Sequence, residues 1–84
     1  MASSTKTRKK SGKGVNSKLQ ALPMRLRERR RAQDLTQQFV ADQLGITQAS
    51  YQAYEGGKTM PTAEKLVLLA DLFDVTTDYL LGRQ

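Results

Sequence analysis

The sequence predicts an all-α fold, a five-helix bundle preceded by a disordered basic arm, and three observations carry that prediction. No segment shows the strict apolar–polar alternation of a half-buried strand. From Leu19 onward the apolar residues recur at helical spacing. Between these stretches stand threonines, glycines and a proline at positions that start and stop helices.

Residues 1–18 form the arm. They are rich in Ser, Thr, Lys and Gly, and Val15 is the one large apolar residue after Met1, too little to offset the entropy of ordering. The domain then occupies residues 19–84. Pro23 suits the first turn of a helix, where its missing N–H would be unpaired in any case, so helix 1 is expected over about 23–33. Thr36 caps helix 2, about 37–44, in which Val40, Ala41 and Leu44 share a face; Gly45 ends it in a conformation that costs glycine little. Helix 3 covers about 47–55 with Thr47 as its cap, closed by Gly56 and Gly57, one of them left-handed. Pro61 and Thr62 open helix 4, about 62–73. Thr76 caps helix 5, about 77–81, and Gly82 ends it.

Composition removes several classes of function. At 84 residues the chain has room for one domain, and without Cys or His it has neither a disulfide framework nor the commonest transition-metal ligands, so no metal or cofactor is expected. There is no glycine-rich phosphate loop and no carboxylate cluster suited to metal-assisted hydrolysis, which argues against an enzyme. The longest apolar run, Leu66 to Ala70, is far short of the roughly 20 residues that span a bilayer. The basic N-terminal stretch lacks the apolar core of a secretory signal, and absence of Cys suits a reducing compartment, so a cytoplasmic location is expected.

Charge is placed asymmetrically. The net charge is +6, and the arm alone holds Lys6, Arg8, Lys9, Lys10, Lys13 and Lys18 without an acidic residue. Five arginines, Arg25, Arg27, Arg29, Arg30 and Arg31, crowd helix 1, whereas residues 62–84 are acidic on balance. One end of the molecule should attract polyanions and the other repel them.

Two short helices joined by a tight turn at Gly45, with small Ala41 where they cross, reproduce the plan in which the second helix enters the major groove of DNA. The stretch LTQQFVADQLGITQASYQAYEGGKTMPTAEKLVLLADLFDVTTDYLLG, Leu35 to Gly82, resembles the Cro and phage repressor-type helix-turn-helix family along its whole length. The resemblance implies a λ-repressor-like domain, double-stranded DNA as partner, a nucleoid-associated location and a role as transcriptional regulator, most simply a repressor. The family also includes antitoxins and coactivators, so an interaction module with a toxin or polymerase component as partner is the alternative.

On helix 3, Gln48, Ala49, Gln52 and Ala53 fall on one arc, and Thr47, Ser50, Tyr51, Tyr54 and Glu55 on the other. The first arc offers amides that can pair with adenine N6 and N7 beside methyl groups that can touch a thymine methyl. No Arg or Lys lies there to read guanine, so a bias toward A·T pairs is expected. Outside this motif the same residues would read as an ordinary solvated helix face. Gln37, with the backbone N–H groups at the start of helix 2, can meet one phosphate, and Lys58, just after helix 3, another. The resemblance gives both positions this role and often adds Ser50; a plain solvated lysine is the other reading of Lys58. It also implies that Arg30 pairs with Glu55 to orient helix 3, a pair worth little if it lies at the surface. Much of the attraction to DNA is then expected from the arm and the arginines of helix 1.

Four features depart from the family pattern. Tyr51 stands where Val or Ile is usual, so the core must hold a ring or release its hydroxyl to solvent. Arg29 replaces a leucine and thins the apolar stripe of helix 1, with Leu22 and Leu26 available to compensate. Phe39, at a usual glutamate, points toward solvent by helical period; it is either a lone exposed aromatic or packs on Val15, Leu19 or a partner. Helix 4 is apolar nearly all round: beyond the stripe Leu66, Leu69, Ala70 and Phe73 it carries Val67, Leu68 and Leu72, which helix 5 or a second subunit must cover. A homodimer through helices 4 and 5 is expected on that ground.

Overall fold

A computed structural model describes the backbone of residues 11–83 and the side chains of residues 21–83. Within them the chain is five helices, α1 (Ser11–Ala32), α2 (Gln37–Leu44), α3 (Gln48–Glu55), α4 (Ala63–Phe73) and α5 (Thr77–Leu81), with no strand. The all-helical reading stands. The first residues of α3 and α4 fall one position later than expected because Thr47 and Thr62 act as caps rather than helical residues.

Helix 1 differs from its expected extent. It begins at Ser11, and Pro23 lies inside it instead of opening it. Residues 11–18, expected in the arm, are therefore helical, while residues 1–10 lie outside the described residues. An interior proline forfeits one backbone bond and costs about 3 kcal/mol. Packing opposes that cost: Leu22 and Leu26, one turn apart, are both buried, so the helix must already be formed before Pro23. Once such a nucleus is fixed, each further residue adds a hydrogen bond at little entropic cost, which carries the helix toward Ser11.

The five helices end alike. A residue in the left-handed region follows each: Asp34 at φ 57°, Gly45 at 70°, Gly57 at 76°, Asp74 at 58° and Gly82 at 78°. The next N–H then returns to a carbonyl in the last turn: Leu35 to Arg30, Ile46 to Ala41, Lys58 to Ala53, Val75 to Ala70 and Arg83 to Asp78, all between 2.8 and 3.0 Å. This is the Schellman closure, which satisfies carbonyls that a helix end leaves orphaned.

Each helix after α1 also starts alike. Thr36, Thr47, Thr62 and Thr76 accept, through the side-chain oxygen, the N–H of Phe39, Ser50, Lys65 and Tyr79 respectively. Stop and start combine into three-residue corners at Asp34-Leu35-Thr36, Gly45-Ile46-Thr47 and Asp74-Val75-Thr76, where the middle aliphatic residue packs on the core. The α3–α4 connection departs from this plan. There the residue after the left-handed glycine is Lys58, and Thr59, Met60 and Pro61 intervene before Thr62.

The core lies where α1 crosses α3 and α5, α2 packs on α3, and α4 packs on α2 and α5. Leu22 and Leu26, Val40, Ala41 and Leu44, Tyr51 and Tyr54, Leu69, Ala70 and Phe73, and Leu80 fill it. Leu66 and Leu72 reach it only partly, and Val67 and Leu68 remain 51% and 39% exposed. The carbonyls at four helix ends also receive side chains from other elements. Lys65 Nζ donates to Leu44 O at 2.9 Å, Arg27 Nη1 to Glu55 O at 3.1 Å, and Gln33 Nε2 to Phe73 O at 3.3 Å. Arg25 Nη1 donates to Tyr79 O near the end of α5, and its guanidinium lies 4.4 Å from the centre of the Tyr79 ring.

Candidate nucleic-acid interface

The α3 helix is divided lengthwise by burial. Tyr51, Tyr54 and Glu55 face inward, with the two rings edge to face, their centres 6.2 Å apart. Gln48, Ala49, Ser50 and Gln52 are exposed and Ala53 is half-buried. The four residues expected to read bases thus share one accessible face. Ala49, Gln52 and Ala53 line a single open depression together with Gly56 and Lys58. Ser50 stands apart from that group: its N–H meets the Thr47 hydroxyl oxygen at 3.1 Å and its own hydroxyl oxygen lies 3.0 Å from it.

A buried polar node holds the inner face. Arg30 meets both carboxylate oxygens of Glu55, Nε to Oε2 at 2.7 Å and Nη2 to Oε1 at 3.2 Å. The two side chains are 13% and 4% exposed, so the discount appropriate to a surface ion pair does not apply here. Arg30 Nη1 also donates to Leu35 O at 2.9 Å, which ties the pair to the α1–α2 corner. Burial alone would raise the Glu55 carboxyl, but the hydrogen bonds from Arg30 and Gln37, with the Tyr51 hydroxyl beside them, outweigh it and hold the group below the usual carboxylate range. The Arg30 guanidinium is raised in turn by its hydrogen bond to Glu55.

Tyr51 resolves its departure from the family pattern by burying the whole ring. Its hydroxyl is buried beside the Arg30–Glu55 pair, outside the geometry of a full hydrogen bond yet near enough to favour the charged form of Glu55. Burial pushes the phenol far above the usual tyrosine range.

Gln37 is placed differently from a free phosphate ligand. Its side-chain amide donates to Glu55 Oε1 at 3.1 Å and so belongs to the node. By helix geometry the N–H groups of Gln37 and Gln38 have no intrahelical acceptor, and these are what the start of α2 offers an anion.

The arginines of α1 require a correction. Arg25, Arg27 and Arg30 donate inward, to Tyr79, to the Glu55 carbonyl and to the Glu55 carboxylate. Arg29 is half-buried, with its Nε buried and without a partner, and Arg31 is exposed. A cluster that reads as a cationic patch in sequence is, for three of its five members, internal scaffolding. Carbonyls at the ends of α3 and α5 attract it, since those helix ends carry partial negative charge.

Sequence reasoning also passed over Met60, 49% exposed, which with Thr59 borders a second depression against Ala49, Ser50, Ala53 and Tyr54. The signal available was its place before Pro61, which fixes an extended backbone. Among the described residues no group of acidic, His or Cys side chains could hold a metal ion, and no helix is long and apolar enough to cross a membrane.

Residues 26–80 match the family model described as helix-turn-helix. The HTH-type transcriptional regulator AnsR of Bacillus subtilis is 48% identical over 60 residues, covering 71% of this chain and 52% of that protein. The cryptic phage CTXphi transcriptional repressor RstR of Vibrio cholerae is 44% identical over 59 residues, covering 70% and 53%. The chain spans about half the length of the curated relatives it matches first. In three dimensions it is similar to the P22 c2 repressor protein, solved in complex with a synthetic operator, at a TM-score of 0.71 and 25% identity over 75% of this chain and 96% of that one.

Proposed function

Because this chain belongs to the helix-turn-helix family, whose model takes in residues 26–80, we propose that it is a sequence-specific DNA-binding transcriptional regulator, most simply a repressor. The observation that carries this reading is the division of α3. One face is exposed, uncharged and rich in amides, and the other is locked to α1 and α2 through Arg30, Glu55 and Gln37. A rigid helix presenting short polar and methyl groups suits the edges of base pairs.

In this reading Gln48 and Gln52 donate to and accept from adenine, and Ala49 and Ala53 touch thymine methyl groups. Lys58, Ser50 and the N–H groups at the start of α2 meet phosphates on either side. The Arg30–Glu55 pair positions α3 without touching DNA. The chain acts as a homodimer through α4 and α5, where Val67 and Leu68 supply exposed apolar surface and where symmetry would place two copies of α3 about one turn of DNA apart. It works in the cytoplasm, at the nucleoid, and performs no catalysis.

Selection of bound sequences from random DNA tests this reading. A two-fold symmetric, A·T-biased consensus with half-sites about ten base pairs apart is expected. Strictly G·C-rich half-sites would remove Gln48 and Gln52 as readers. Sedimentation of the protein–DNA complex as one protein per site would remove the dimer.

A further inference from the structure

We propose that Met60, carried on the α3–α4 loop, is a further specificity-determining residue: with Ala49 and Ala53 it supplies the apolar part of a notch that takes the 5-methyl group of a thymine. This rests on the reading of α3 as the base-reading helix.

The loop is built to hold Met60 against α3. It departs from the three-residue corners used between α1 and α2, α2 and α3, and α4 and α5 by inserting Thr59, Met60 and Pro61. Its start is pinned to α3 by the N–H of Lys58, which donates to Ala53 O at 2.9 Å. Its end is pinned by Pro61, which is buried and which restricts Met60 to extended backbone. The segment is therefore short, fixed at both ends and directly beside the proposed reading face.

Single exposed methionines are ordinary, and exposure alone says nothing. Met60 differs in lining a concavity together with Ala49 and Ala53, the two methyl groups of the reading face itself, and with Tyr54, while Ser50 and Thr59 complete its walls. Lys58 borders the adjoining depression, so a cation for the phosphate backbone stands at the rim. The chemistry of the occupant follows from its neighbours. Gln48 and Gln52 favour adenine, and each adenine brings a paired thymine whose methyl group projects into the same groove. Cytosine would set its amino group against methyl carbons and lose a hydrogen bond to water. The unbranched thioether of methionine can adjust to the methyl without strain.

The experiment uses the full chain and a site selected from random DNA. Each thymine is replaced singly by deoxyuridine, which removes the methyl group and nothing else, and binding is followed by fluorescence anisotropy. At one position per half-site the unaltered protein is expected to lose about fourfold in affinity, the value of one buried methyl group. Met60→Ala should bind the thymine site about fourfold more weakly and no longer distinguish it from the uracil site, while Met60→Leu keeps most of the discrimination. If Met60→Ala keeps the full preference for thymine over uracil at every position, with its helical circular dichroism unchanged, the proposal is overturned. Failure to select any consensus would overturn the base-reading role of α3, and this proposal with it.

Discussion

Arg30 holds Glu55 by both carboxylate oxygens, at 2.7 and 3.2 Å, across an interface where the carboxylate side chain is only 4% exposed. Removing one partner strands the other. Glu55→Ala is expected to cost about 3 kcal/mol, since it leaves Arg30 half-buried without its anion and Gln37 without its acceptor. Urea unfolding checks the value. Glu55→Gln, which keeps the shape but not the charge, should cost less.

The same pair makes stability depend on pH in a definite sense. A carboxylate held below its ordinary range binds fewer protons folded than unfolded. Its contribution is therefore complete above the usual carboxylate pKa and fades as pH falls through the lower, folded value. The stability gap between the natural protein and Glu55→Gln should be largest near neutrality and close progressively in acid. A gap independent of pH would show that the charge contributes nothing.

Tyr51 is expected to show the opposite sign. Its hydroxyl is buried without a hydrogen-bond partner, so Tyr51→Phe removes an unsatisfied group while the ring contacts with Tyr54 persist. The variant should be more stable by about 1 kcal/mol and raise the thermal midpoint. Loss of stability instead would mean that the hydroxyl supports the Arg30–Glu55 pair.

Helix ends give a pair of variants expected to differ in sign. A Cβ added at Gly45 meets nothing within 4 Å, so Gly45→Ala is penalised by its φ of 70° alone, at about 1 kcal/mol. Asp74 already occupies the left-handed region at φ 58°, and Asp74→Gly should be stabilising by about 0.5 kcal/mol. Thermal unfolding of both variants reads the two signs.

Charge removal on α1 separates scaffolding from attraction. Arg31 is exposed, whereas Arg27 donates to the last carbonyl of α3. If Arg31 meets a phosphate, Arg31→Ala lowers the salt dependence of DNA binding by about one unit of slope and leaves stability alone. Arg27→Ala should leave the slope nearly unchanged and lower the unfolding midpoint.

Much of this geometry could be read from residue order, and the exceptions have a common cause. Thr36, Thr47, Thr62 and Thr76 cap their helices because cap formation is settled within four residues. Gly45 and Gly82 stop theirs for an equally local reason. Asp34 and Asp74 went unread as stops because an aspartate reaches the left-handed region less readily than glycine and announces it less clearly. Pro23 misled because its local preference, to open a helix, yields to the burial of Leu22 one residue before it. The inward contacts of Arg25 and Arg27 could not be read for a third reason. The choice between a phosphate and a carbonyl of another helix depends on which backbone ends the fold brings near, and no spacing in the chain encodes that.

The three-residue corners have a thermodynamic consequence for any ligand of α3. A corner closed by a return hydrogen bond on one side and a threonine cap on the other, and whose middle aliphatic residue packs on the core, has little freedom to give up on association. Docking should then proceed as between rigid bodies, with little entropy spent on ordering the protein. Calorimetry would register this as a heat-capacity change matching the surface covered, with none of the excess that accompanies folding upon binding.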